Sequence, residues 1–331
     1  MLANRVKKRL KHLQKWAKRT GIEAFRLYDR DIPEIPLVLD LYGNAISGAL
    51  YKRPYEKDQA EEALWLESMR DALSQSLKIA PQNIIIKQRE RQRGSSQYEK
   101  IAGQGLTREI REGKYKFKVN LSDYLDTGLF LDRRSLRSLF GADAEGKRVL
   151  NLFCYTASFS VYAAGGGAVS VDSVDLSNTY LAWARENFAL NKGDCHLSEL
   201  FGFIQKKSGP KNRLIRADVN IFLERALSAR YTWDSIILDP PAFSNSAMAR
   251  ADFDLAKDYG ALLANCLSLL SPGGKLWFSA SARSFKPSAA DLEKTLNGRF
   301  PEVKLVDISE KIIDEDFKGK KTPKTFVISR E

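Results

Sequence analysis

The run SIILDPPAF at 235–243 ends a short apolar segment in an acid and two prolines. A carboxylate at the C-terminal end of a buried strand, followed by a loop that cannot continue the ladder, stands where open α/β sheets place their chemistry. Asp239 and Pro240 are therefore candidate active-site residues, and Phe243 can stack on a planar substrate or fill a core position. Alone, the string reads equally as a strand and a Pro-rich turn. What separates the two readings is the sequence upstream.

There VLNLF at 149–153 runs into CYTASFSVYAAGGGA. Thr156, Ala157 and Ser158 are small enough to let the backbone approach a ligand, and the helix that follows points its amide dipoles there. Asn151, Phe153, Tyr155, Thr156 and Ala157 are the candidate cofactor residues of this turn. The spacing is not GxGxxG, which removes the main support for hydride transfer. A second strand ends at Asp175 and Leu176, from where an acid can hold both hydroxyls of a ribose; Asp172 is a second candidate for that role. Asp175 reads alternatively as helix N-terminal electrostatics. RLIRADV places Asp218 beside an adenine-sized ligand or at the cap of the next helix. Acids at successive strand ends, together with DPP, form one pattern.

These elements need a frame, and 331 residues with 44% apolar content suffice for two folded domains. The excess of 53 Lys and Arg over 41 Asp and Glu gives a net charge of +12 and makes nucleic acid the leading partner class. Cys154, Cys195 and Cys266 have neither disulfide nor zinc spacing, which fits a reducing cytoplasm, and no metal is expected. The basic start lacks the apolar run of a secretion signal, and no stretch approaches spanning length. Two histidines, His12 on the basic arm and His196 in a stretch read as irregular, leave little for histidine triads or multi-histidine metal sites.

Residues 3–19 put Val6, Leu10, Leu13 and Ala17 on one helical face and surround it with cations, a solvated surface or an anion contact. Residues 21–122 read as a small α+β domain with strands at 36–41, 45–52, 83–88 and 114–119 around a helix at 57–78. Its segment KQRERQRGSSQYEK at 87–100 offers Arg89, Arg91, Arg93 and Lys100 to an RNA backbone, or is a solvated loop. In the third domain, 123–331, strands at 148–153, 169–174, 213–216, 235–238 and 275–279 alternate with helices, followed by late strands at 303–308 and 325–329. The fold class is α/β, a Rossmann-like parallel sheet with a smaller N-terminal α+β domain.

NLFCYTASFS, VDSVDLSNTYLAWARENFALN, Ala217-Asp218 and ILDPPAFSNS resemble the successive motifs of class I S-adenosylmethionine-dependent methyltransferases. DYLDTGLFLDRR at 123–134 and the opening ANRVKKRL with FRLYD resemble, more specifically, the RlmK-type ribosomal RNA guanine-N7 methyltransferases, over nearly the whole chain. That enzyme is often the C-terminal half of a fused RlmKL protein, and this chain would be a free-standing version. The resemblance implies S-adenosylmethionine as cofactor, no metal, ribosomal RNA or a ribosomal precursor as partner, and cytoplasmic work. It carries Asp132 and Arg134 over from the family's GxFLDxR pattern, with Phe130 as an apolar wall. Asp132, Arg133 and Arg134 can pair with the methionine portion of the cofactor, or Arg133, Arg134 and Arg137 form a solvated helix face. The chain departs from the family in the added stretch HLSELFGFIQKKSGPK at 196–211, a possible change in RNA contact, and in Ala280-Ser281, where a polar Asn pair is usual.

Cytosine C5 methylation needs a cysteine that adds to the base, and related enzymes keep it in an SCS-like string after the fifth strand. Here that string is Ser279-Ala280-Ser281, and Cys266 reads as a core residue. Guanine N7 already offers a lone pair, so Asp239 could stabilise developing positive charge without accepting a proton. The expected reaction is in-line transfer to guanine N7 of 23S ribosomal RNA. Transfer to N6 of adenine or N2 of guanine, or a catalytically silent RNA-binding or assembly factor, are the alternatives.

Overall fold

The structure is a computed structural model that describes residues 1–51, 58–89, 103, 105–205, 209–244, 252–280 and 285–330. It divides into two compact units, one of residues 1–131 with 314–318, the other of 132–313 with 319–331. Arg91, Arg93, Lys100 and Ser281 lie outside the described residues.

The first unit opens with helix α1 (Leu2–Thr20), which buries Leu2, Val6, Leu13 and Ala17 and stops at Gly21, a left-handed C-cap with φ of 68° that a glycine adopts without steric cost. Strands β1 (Ala24–Asp29), β2 (Leu37–Tyr42) and β3 (Ala45–Tyr51) pair antiparallel in sequence. After helix α2 (Gln59–Leu77), capped by Asp58, strand β4 (Ile84–Arg89) joins β3 in parallel. A hairpin of β5 (Thr107–Glu112) and β6 (Tyr115–Asn120) follows. Leu27, Leu37, Leu39, Ile46 and Leu73 fill the core between α1, α2 and the sheet.

The second unit begins in a 3₁₀ turn that leads into α3 (Arg134–Ala142). Then come β7 (Arg148–Leu152), α4 (Ser158–Gly165), β8 (Ser170–Asp175), α5 (Asn178–Leu190), β9 (His196–Glu199) and α6 (Leu200–Gln205). The chain continues through β10 (Asn212–Arg216), α7 (Val219–Ser228), β11 (Trp233–Leu238), the short pair β12 (Phe243–Ser244) and β13 (Phe253–Asp254), and α8 (Leu255–Ser268). It ends with β14 (Leu270–Ala280), α9 (Ala289–Asn297), β15 (Val303–Asp307) and β16 (Lys324–Arg330). The sheet runs β15-β16-β14-β11-β7-β8-β10-β9, with β16 antiparallel to its neighbours.

Strand order reverses between β7 and β11, and the carboxyl ends of strands at such a switch point form a ligand crevice. Leu152 is level with Val174 and with Leu238, and Leu238 with Phe278. The next residues, Phe153, Asp175, Asp239 and Ser279, therefore form one row across the sheet. Alternation assigns the faces: Leu150, Leu152, Val174, Ile236 and Leu238 pack in one core, Val149, Val171, Ile237 and Trp277 in the other with α3 residues Leu136 and Phe140.

One expectation changes here. His196 is not in an irregular stretch but opens β9, which pairs in parallel with β10. The added stretch also sends Phe203 into the core, 2% exposed, where it stacks on Tyr231 and lies 4.4 Å from the Arg213 guanidinium. Through β9 and Phe203, the stretch extends the sheet and its core.

Candidate active site

The turn after β7 carries three residues at positive φ: Phe153 at 55°, Tyr155 at 52° and Ala157 at 59°. Left-handed backbone costs a residue with a Cβ about 1–2 kcal/mol, so three in five residues mark a backbone held against its preference. The bonds that hold it are specific. Cys154 N–H donates to the Val174 carbonyl and Ala157 N–H to the Cys154 carbonyl. Tyr155 N–H donates to Asp175 Oδ2 at 2.8 Å, and buried Asn187 of α5 donates to the Thr156 carbonyl at 2.9 Å. The Tyr155 ring meets Tyr180 edge-on at 4.5 Å, and Phe153 lies 5.4 Å from Phe253.

Thr156 and Ala157 are fully buried, the Thr156 carbonyl and the Ala157 N–H engaged internally, so what this turn presents to a ligand is half-buried Phe153 and Tyr155. No side chain caps α4, whose first helical residue is Ser158. The candidate Asn151 has its side chain engaged elsewhere. It is 1% exposed and donates to Ser160 Oγ, which shares a 2.7 Å bond with Ser173 Oγ. Its side chain is on the face toward α4 and ties strand to helix.

Asp175 terminates β8. Its two oxygens accept from Tyr155 N–H and from Ser177 N–H, at 2.8 and 2.9 Å. Burial pushes its carboxyl up to about 6, against the pull of backbone N–H groups of Ser177, Tyr155 and Leu176. Leu176 is half-buried beside it.

Asp172 does not share that role, because alternation sends it to the other face of β8. There Arg213 grips it through bonds of 2.6 and 2.9 Å, and Trp233 Nε1 donates at 2.8 Å. Burial raises its pKa while Arg213 and Trp233 lower it. Asp218, half-buried, caps α7 by accepting from Asn220 and Ile221 N–H, which is one of the two readings of its sequence context.

After β11, Asp239 is held by Arg133, whose Nε and Nη2 donate to Oδ2 and Oδ1 at 2.9 and 3.0 Å. Arg133 also lies 3.1 Å from Asp132. Burial disfavours the charged guanidinium, but the two carboxylates outweigh that and hold it protonated. Arg133, Arg134 and Arg137 are all buried, which excludes the solvated helix face. Pro240 is buried, whereas Phe243 is 45% exposed, a ring face open to stacking rather than core. Cys266 is fully buried in α8, its thiol pushed far up by burial, and Ala280 ends β14 at 3% exposure.

Phe130 belongs to the first unit and is 44% exposed. In the same unit exposed Arg89 lies 3.7 Å from Asp126 and over the Tyr51 ring. Sequence reasoning missed Asn187, Tyr180 and the Arg133–Asp239 pairing. Asn187 had a signal: an amide on the inward face of an otherwise apolar helix pattern, which must have a buried partner.

A carboxylate at the end of β8 and a strained turn at the switch point fit a nucleoside-bearing cofactor. The comparisons agree. The family model for S-adenosylmethionine-dependent methyltransferases matches residues 30–312. Ribosomal RNA large subunit methyltransferase K of Neisseria meningitidis is 43% identical over 96% of this chain and 84% of its own length. Ribosomal RNA large subunit methyltransferase K/L of Pseudomonas fluorescens is 45% identical over 96% of this chain, which spans only 39% of that longer protein. The crystal structure of SMU.776 complexed with SAH superposes with a TM-score of 0.71 at 25% identity, over 99% of this chain and 80% of that one. The chain thus belongs to the S-adenosylmethionine-dependent methyltransferases, in the branch whose curated members are the ribosomal RNA large subunit methyltransferases K and K/L.

Proposed function

We propose that this chain methylates guanine N7 in large-subunit ribosomal RNA by direct in-line transfer, with no covalent bond between enzyme and base. The carrying observation is the Arg133 fork on Asp239. Both carboxylate oxygens are engaged, which favours an electrostatic role over proton acceptance from an exocyclic amine. Guanine N7 needs no base, since its lone pair is free, and alkylation leaves the ring cationic. Asp132, Arg133 and Asp239 together carry a formal charge of about −1, which would stabilise that cation. The names of the relatives support a ribosomal RNA substrate.

S-adenosylmethionine supplies an electrophilic methyl group when bound. Asp175 would hold the ribose, the 153–157 backbone would follow the cofactor's contour, and Asp132 and Arg134 would contribute to the methionine end. Asp218 would border the adenine while capping α7. The protein's work is chiefly alignment and exclusion of water. Phe243 would stack on the extruded base, a contact of roughly 1–3 kcal/mol. A covalent cytosine route lacks its nucleophile, because Ala280 stands where a thiol is required and Cys266 is buried in α8. Arg89, with Arg91, Arg93 and Lys100, would meet phosphates.

The test is to incubate the protein with labelled cofactor and unmodified ribosomal RNA and identify the nucleoside by mass spectrometry. The expected product is 7-methylguanosine, cleavable by borohydride and aniline, and 5-fluorocytosine RNA should form no denaturation-resistant adduct. N6-methyladenosine or N2-methylguanosine would overturn the acceptor atom. No transfer to any ribosomal RNA, with cofactor bound, would identify a silent binding factor.

A further inference from the structure

Helix α1 contains eight Lys and Arg residues in 19 positions and not one acid. Arg5 pairs with Asp31 and His12 with Glu315, and Arg9 donates to the Glu315 and Asp316 carbonyls. The other six, Lys7, Lys8, Lys11, Lys15, Lys18 and Arg19, are all exposed, and their side chains make no ion pair or hydrogen bond among the described residues. At about 100° per residue these six share an arc of about 120°, roughly opposite the buried stripe of Leu2, Val6, Leu13 and Ala17. The cations with partners lie on the flanks, and those without point outward.

Such a row opposes helix formation. Lys7 and Lys11, Lys11 and Lys15, and Lys15 and Arg19 are like charges one turn apart, which destabilise an isolated helix. Its first turn holds no acid to complement the dipole. Helix α2, of equal length in the same unit, carries Glu61, Glu62, Glu67 and Asp71 against the single cation Arg70. Sign is thus segregated between the two helices rather than mixed for solubility. A polyanion removes the repulsion along α1.

We propose that the outer face of α1 is a docking surface for the phosphate backbone of RNA, separate from the site at the strand ends. Lys7, Lys11, Lys15 and Arg19 recur about every 6 Å along the axis, a row of point charges suited to successive phosphates without reading bases. The inference rests on the ribosomal RNA reading of the chain and adds a second contact surface to it.

The experiment measures binding to unmodified large-subunit ribosomal RNA across a salt series. The variant carries Lys7→Gln, Lys11→Gln, Lys15→Gln and Lys18→Gln, and a second carries Lys11→Glu and Lys15→Glu. A control replaces exposed Lys294, Lys304 and Lys311 of the other unit by Gln. Loss of four phosphate contacts lowers the slope of log K against log salt by about 3 and affinity at about 0.1 M salt by at least about tenfold. The charge-reversed variant loses more, the control keeps the wild-type slope, and cofactor affinity is unchanged in all three. An unchanged slope in both α1 variants, or an equal loss in the control, overturns the proposal while wild-type binding preserves the RNA reading. Wild type that fails to bind ribosomal RNA overturns both. Loss of binding only to phosphatidylglycerol vesicles assigns α1 to a lipid surface and overturns the proposal.

Discussion

Arg133 and Asp239 stand 106 positions apart and meet through two parallel hydrogen bonds, Nε to Oδ2 at 2.9 Å and Nη2 to Oδ1 at 3.0 Å. A guanidinium fork matches the plane of a carboxylate, so the pair fixes direction as well as charge. Asp239 follows β11, at the switch point, and Arg133 immediately precedes α3. The acid of the DPP string is thereby oriented before any substrate arrives, and the Arg133 side chain is committed to it rather than to a cofactor carboxylate.

That assignment separates turnover from cofactor binding. Arg133→Lys keeps the charge and loses the fork, and Arg133→Ala leaves Asp239 without it. Single-turnover rates should fall roughly tenfold for Lys and 10²-fold for Ala, with S-adenosylmethionine affinity within about twofold of wild type. Free guanidinium at low concentration should restore part of the Ala variant's rate. A large loss of cofactor affinity with normal turnover at saturation would instead place Arg133 at the methionine end.

With Asp175 at the ribose as proposed, cofactor binding acquires a pH dependence. The Asp175 carboxyl is raised to about 6, above the roughly 3.9 of an unfolded aspartate. Between those values the folded chain holds the proton more tightly, so its stabilising contribution is present below about pH 4 and is lost as pH rises through 6. Cofactor binding has the opposite sign, because the ionised carboxylate is the better acceptor for two hydroxyls. The dissociation constant should be roughly tenfold weaker at pH 5 than at pH 7, and Asp175→Asn should flatten the profile. Calorimetry across that range checks it; a wild-type profile in the Asn variant would dismiss the ribose role.

Asp172, three residues earlier, should behave in a different way. Asp172→Ala leaves the Arg213 guanidinium buried without its carboxylate and removes the acceptor of Trp233 Nε1. Breaking such a pair costs about 3–5 kcal/mol. Urea denaturation should show that loss, while cofactor affinity in the remaining folded protein stays near wild type.

The contrast between these two acids shows what the sequence could and could not reveal. Strand-to-helix alternation and abrupt acids exposed the sheet and the row Phe153, Asp175, Asp239, because local periodicity encodes strands and their ends. Which acid of VDSVD faces the ligand depends on the pleat, and the pleat's direction is set by distant partners, Arg213 and Trp233 for one face, Ser160 for the other. Strands β1 and β5 and the edge strand β9 were missed; β9 is only four residues long, and its pairing with β10 across α6 has no local signature. The Arg133 fork was equally hidden, since RR beside an acid reads the same whether it meets solvent, cofactor or the DPP loop.

Asn187 provides a final test, because it shapes the site without lining it. It is fully buried in α5, and its Nδ2 donates to the carbonyl of Thr156, between the left-handed residues Tyr155 and Ala157. Asn187→Leu preserves volume and apolar packing but leaves that carbonyl without its donor, at about 1–3 kcal/mol. The turn then has less reason to hold its strained backbone, and ordering it becomes part of the free energy of cofactor binding. The expected outcome is a lower denaturation midpoint together with a dissociation constant raised roughly 5–30-fold. Asn191→Ala, which removes a bond from the Asn191 amide to the Asn187 carbonyl at the end of the same helix, should affect the midpoint slightly and the affinity not at all. If Asn187→Leu lowers stability alone, the amide is a core hydrogen bond and the turn keeps its shape by other means.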